Sequence, residues 1–189
     1  MNRSTAVALT AAIAALASVA LPASAGAQGL DDTFDIIKNA IVSQGDVVWE
    51  GFVHDSAPPR GQQSDWTYQR RITITNYTYD LPRCRFNFHY RVVTNGEVSS
   101  DVPDAGVPLR EAAVIKVASE VQLVQMRDAQ AGHPTWSSRI EPPIYDVDVI
   151  RADGNENVFS FYDLATANNV AREFQRAAAL CGVTNIRNY

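Results

Sequence analysis

Apolar and polar residues alternate with a period of two through the middle of this chain, and with a helical period at its flanks. The segment CRFNFHYRV, residues 84–92, shows the first pattern most clearly. Cys84, Phe86, Phe88, Tyr90 and Val92 fall on one side, and Arg85, Asn87, His89 and Arg91 on the other. Side chains of an extended strand point alternately to opposite faces, so this is a half-buried strand with a cationic outer stripe. WTYQRRITIT (66–75) repeats the pattern, with Trp66, Tyr68, Ile72 and Ile74 against Thr67, Gln69, Arg71, Thr73 and Thr75. Arg70 is the one misfit on the apolar side, which places it near a sheet edge where its stem can snorkel. NYTYDLPR between the two segments carries turn formers, and the pair reads as an antiparallel hairpin. Aligning the apolar faces makes opposite residue numbers sum to about 158 or 160. Arg71 then meets Asn87 or His89, and Gln69 meets His89 or Arg91.

Other elements follow from the same reasoning. VVWEGFVH (47–54) is a strand, and SAPPRGQQSD (56–65) and residues 95–108 are loops. REAAVIKVASEVQLVQM (110–126) admits a helix at its start, but its β-branched load and the alternation Ile115, Val117, Val121, Leu123 favour one long strand. Residues 128–143 read as irregular. IYDVDVIR and NVFSFY flank an Asp153-Gly154 turn, with Asp146 and Asp148 on the outward side of their strand. Residues 31–44 form a short helix capped by Asp31 or Asp32, with Phe34, Ile37 and Ile41 on one face. A second helix at about 164–181 has Asp163 as cap and Gly182 as stop. Ala167, Val170, Ala171, Phe174, Ala177, Ala178 and Cys181 form its buried face. The sum is one α+β domain over residues 28–189. Six or seven antiparallel strands form a bent sheet packed by the C-terminal helix, with a short N-terminal helix. The terminal F-x-F-Y-D (159–163) followed by an amphipathic helix resembles the end of pleckstrin-homology-like domains, in which a bent antiparallel sheet is closed by one helix. That resemblance implies a fold and no activity.

The N-terminus changes the expected compartment. A head carrying Arg3 precedes the apolar run Ala6–Ala20, then Leu21-Pro22, then small residues at Ala23, Ala25 and Ala27. This is the layout of a cleaved Sec-type signal peptide, residues 1–27, cut after Ala25 or Ala27. The rival, a membrane anchor, needs about 20 strongly apolar residues, and this run is short and alanine-rich. Removal leaves 189 − 27 = 162 residues with 15 Lys+Arg against 21 Asp+Glu, net −6. An acidic balance argues against nucleic acid as a partner. Export to the periplasm or beyond makes a disulfide the expected state of Cys84 and Cys181, with free buried thiols as the alternative. Both thiols lie on core-facing sides of their elements, which supports the bridge independently.

Chemistry is sparse. His54, His89 and His133 are far apart, and no H-E-x-x-H, G-x-S-x-G or P-loop spacing occurs, so neither a metal nor another cofactor is expected. Asp146, Asp148, Asp153, Asn155 and Glu156 lack the spacing of a calcium loop and read as a solvated strand face and turn. The outward set Arg71, Arg85, His89 and Arg91 is the candidate binding face, suited to a phosphate or carboxylate on a partner. A plain solubilising face, neutralised in cis by Asp146, Asp148 or Glu120, is the other reading. Trp136 is a second candidate contact, or a lid on one end of the core. The expectation is an exported, non-catalytic binding domain whose partner is an envelope component, a glycan or a protein. An inhibitor or immunity-type protein is one alternative, and a hydrolase with scattered catalytic residues another.

Overall fold

The computed structural model describes residues 24–187, with side chains from Gly29 onward. The signal peptide falls mostly outside the described residues. Helix α1 (Ser24–Gln44) begins at its end, so either expected cut would trim only the first turn. The strands are β1 (Val47–Asp55), β2 (Asp65–Asp80), β3 (Arg85–Thr94), β4 (Glu97–Pro108), β5 (Ala112–Ser119), β6 (Trp136–Glu141), β7 (Tyr145–Arg151) and β8 (Glu156–Phe161). Helix α2 (Glu120–Gln130) follows β5, and α3 (Leu164–Leu180) follows β8. The fold is α+β, as the patterning requires. Among the described residues its strands number eight and divide into two antiparallel sheets, ordered β4-β3-β2-β1-β6 and β5-β7-β8. Among the described residues, no helix is long and apolar enough to cross a membrane.

Three segments differ from expectation, each for a local reason. Strand β4 occupies residues read as loop. It is an edge strand, mostly exposed, which tolerates Pro103 and hides the strand pattern. Residues 110–126 do not form one strand, because Ser119 accepts a hydrogen bond from the Gln122 backbone N–H and starts α2. Strand β6 lies inside the stretch read as irregular and pairs only with β1.

The hairpin register also needs correction. Ile72 faces Val92 and Ile74 faces Tyr90, so Arg71 sits opposite Val93 and Thr73 opposite Arg91. Residues 76–80 continue β2, carrying the turn to Leu81–Cys84. A bulge between Thr75 and Thr78 shifts the pairing by one. Asn76, within the bulge, has φ 56°.

The main core lies between α1, α3, β3 and the three-stranded sheet. The Phe86 ring lies 5.7 Å from Phe34, 5.8 Å from both Tyr79 and Phe88, and 6.3 Å from both Phe159 and Phe174. Alanines on α3 let that helix approach the sheet closely, and Ala167, Val170, Phe174, Ala177 and Ala178 are fully buried. Cys84 and Cys181 are bridged, which staples the end of α3 to the start of β3. A second, smaller core joins Val47, Trp49, Ile72, Val92, Ile140 and Ile144 to Val121 and Val124 of α2. Thus α2 packs across the inner face of the five-stranded sheet.

Candidate functional site

The outer stripe does not form one site. Arg71 Nη1 lies 3.5 Å from Asp46 Oδ2. Half-buried Arg85 donates from Nε to Asn87 Oδ1 at 2.6 Å. It lies against Gly106, where a Cβ would come within 2.5 Å of that Nε. His89 Nε2 meets Asp101 Oδ1 at 2.6 Å. Exposed Arg91 sits opposite Asp101 on β4 and shares a shallow surface pocket with Arg71, Gln69 and Thr73. The acids that neutralise the stripe are therefore Asp46 and Asp101. Asp146, Asp148 and Glu120, expected on a solvated face, are buried elsewhere, exposed by only 1 %, 1 % and 4 %. Trp136 is half-buried, with its ring centre 3.8 Å from His133 and 4.6 Å from Trp66.

Those buried acids define a site that alternation alone could not locate. On β7, Val147 and Val149 enter the main core, so Asp146 and Asp148 point to the other side of the three-stranded sheet. That side faces a cavity of about 390 Å³ roofed by α2 and floored by β1, β2 and β3. Glu120 enters it from the first turn of α2, Lys116 from β5, Ser160 from β8 and Trp49 from β1. Arg70 lines it as well. It occupies a central strand, not an edge, with its guanidinium 5.6 Å from the Trp49 ring centre.

Ion pairs balance most of the charge. Glu120 lies 3.2 Å from Arg127 Nη2 and 3.7 Å from Arg70 Nη1, and Asp148 Oδ2 lies 3.4 Å from Lys116 Nζ. Among the described residues, Asp146 has no cation of its own. Its Oδ1 accepts a hydrogen bond from the Ser160 hydroxyl. Burial, then the hydrogen bond and negative charge of Glu120, push its carboxyl up to about 9. Asp146 therefore keeps its proton at neutral pH. Burial raises Asp148 too, against the pull of Lys116. Among the described residues, Asp148 Oδ1, Asp146 Oδ2, Glu120 Oε1, Trp49 Nε1 and Arg70 Nε have no hydrogen-bond partner. Such groups are costly to bury unpaired and are rare in folded proteins.

The arrangement can bind polar groups of either sign, and it holds one proton on a buried carboxyl. No histidine lines the cavity. His54 pairs with Asp65 at 2.9 Å on the surface, and both are more than half exposed. Among the described residues, no group of three His, Cys, Asp or Glu is placed to hold a metal ion. The legible signal was Arg70, a charge interrupting an apolar stripe. Lys116, Asp146 and Asp148 gave none, because a strand face covered by another layer has the same period as one facing water. No family model, curated protein or solved structure matches the chain.

Proposed function

We propose that the chain is an exported, non-catalytic binding domain whose ligand occupies the cavity between the two sheets. The observation that carries this reading is the set of unpartnered polar groups on opposing walls of the cavity, Asp146 Oδ2 and Asp148 Oδ1 from β7, Glu120 Oε1 from α2, and Trp49 Nε1 and Arg70 Nε from the five-stranded sheet, within an otherwise compensated charge network. A ligand would supply the missing hydrogen bonds. The volume of about 390 Å³ is at the small end of ligand sites, which run to ~300–1,000 Å³. Export is supported by the N-terminal pattern and by the Cys84–Cys181 bridge, since disulfides persist in oxidising compartments. The arginine stripe carries a weaker version of the reading, because Asp46 and Asp101 already engage Arg71 and His89.

One observation favours a hydrolytic alternative: Asp146 holds a proton in a cavity that Glu120 also lines, as a general acid would. The reading is tested by native mass spectrometry of protein recovered undenatured from the periplasm. A bound small molecule should appear in the wild type and be lost in Asp148→Asn. Wild-type protein that is always empty, and that shifts its melting temperature with no sugar, amine or carboxylate, refutes it.

A further inference from the structure

We infer that the ligand is a linear, neutral oligosaccharide that extends beyond the central cavity along the inner face of the five-stranded sheet; this rests on the cavity being the binding site. Two further cavities adjoin the central one through shared walls. One, of about 260 Å³, shares Arg70 and Arg127 with it and continues to Trp66, Tyr68 and Trp136. The other, of about 370 Å³, shares Tyr90, Glu156 and Val158 and continues to Phe88 and Val102. The three form a trough, polar and tightly buried at its middle and aromatic or aliphatic at its ends.

Three features select the ligand chemistry. First, the central charges are already compensated: Glu120 by Arg70 and Arg127, Asp148 by Lys116. An ionic ligand would have to break one of these pairs, and a neutral one does not. Second, the groups left without a hydrogen-bond partner are three carboxyl oxygens, Asp148 Oδ1, Asp146 Oδ2 and Glu120 Oε1, and two donors, Trp49 Nε1 and Arg70 Nε. A hydroxyl both donates and accepts, so a polyol satisfies this mixture with a single kind of group. Third, the trough floor is formed by faces of paired strands, whose backbone groups are consumed in the ladder. An extended peptide, which is recognised through a free strand edge, finds none on the floor at the middle of the trough, where the unpartnered groups lie; the edge strands β4 and β6 enter only at its ends. Tyr68 offers a flat ring at one end. Its other face lies directly on Gly51, where a Cβ would stand 2.2 Å from the ring. Trp66 and Trp136 flank it, and neither belongs to a buried core cluster.

The test is isothermal titration calorimetry with neutral oligosaccharide series of increasing length (gluco-, manno- and N-acetylated chito-oligomers), against wild type, Asp148→Asn and Trp136→Ala. In one series affinity should rise by about tenfold or more between the disaccharide and the longer members. Asp148→Asn should weaken every length by about tenfold, the range expected for a lost buried hydrogen bond. Trp136→Ala should weaken only the longer members. Trp136 lies outside both cores, so this variant remains informative if Asp148→Asn does not fold. Affinity independent of length, or Trp136→Ala weakening all lengths equally, overturns the extended-chain inference. Binding of spermidine or of short peptides in place of sugars, abolished by Asp148→Asn, overturns the sugar assignment and leaves the cavity reading standing. No binding by any of these probes, with empty protein from the periplasm, overturns both.

Discussion

Removing the disulfide perturbs this fold in a way whose size can be worked out in advance. The bridge joins residues 97 positions apart and ties the start of β3 to the end of α3. In the chain-entropy account, closing a loop of ~100 residues takes about 4.7 kcal/mol of freedom from the unfolded chain at 25 °C. Total stabilities are only about 5–15 kcal/mol, so the bridge is a large share of what holds the fold. For a domain of this size, 1 kcal/mol moves the melting temperature by about 2–4 °C, so the expected fall is ~10–19 °C. Cys84→Ala with Cys181→Ala removes little apolar volume, although Cys84 is only 5 % exposed. Calorimetry and urea unfolding of the double variant, beside the oxidised wild type, give the measurement. An entropic effect predicts a second signature: the urea slope should increase, because the unlinked denatured chain exposes more surface. Cys84 also has φ 53°, a conformation that alanine resists and glycine accepts. Cys84→Gly with Cys181→Ala should therefore be more stable than the double alanine, by about 1 kcal/mol. A melting temperature lowered by less than ~3 °C, with an unchanged slope, would falsify the claim that this staple restrains the unfolded chain.

Four further outcomes are expected. Asp146 is raised to about 9 when folded from its ordinary 3.8, so the folded state keeps a proton that the unfolded chain releases above pH ~4. That contribution is complete below pH ~4 and is lost as pH climbs towards 9. Asp146→Asn should flatten the decline of urea midpoint between pH 5 and pH 8, and an unchanged slope would show that Asp146 is not the titrating group. Phe86→Ala, at the centre of the aromatic core, should cost about 3–5 kcal/mol in urea unfolding. Ser119→Ala removes the cap of α2 and should cost about 1 kcal/mol. Because α2 presents Glu120 and Arg127, it should also weaken binding in the cavity, read by calorimetry. Arg71→Gln with Arg91→Gln should change stability by less than ~0.5 kcal/mol and leave cavity binding intact, since Arg71 is about half exposed and its ion pair is a surface one.

The cationic stripe and the acid cavity show where one-dimensional reasoning stops. Arg71, Arg85, His89 and Arg91 do lie on the face opposite Phe86 and Phe88, as alternation requires. Their partners, Asp46 and Asp101, come from a β-approach loop and a strand that composition did not reveal. Register had the same weakness. Opposing apolar residues constrain it to steps of two, and the turn position and a bulge at Asn76 then choose among the steps. The end of the strand at Ser119 was legible in principle, because Ser119 and Gln122 have the spacing of a capping box. The β-branched residues around it masked that signal.

Local interactions are written in the chain and were recoverable from it: which residues of β3 face inward, which side of α3 is buried, and that Cys84 and Cys181 point into one core. These follow from periods of 2 and 3.6, which each element carries within itself. Whether the second face of a strand meets water or another layer is not a property of that strand. Asp146 and Asp148 repeat as a solvated face would, and only the packing of α2 and the five-stranded sheet over them removes the water. The desolvation that keeps Asp146 protonated, and the cavity itself, arise from that stacking of layers distant in sequence.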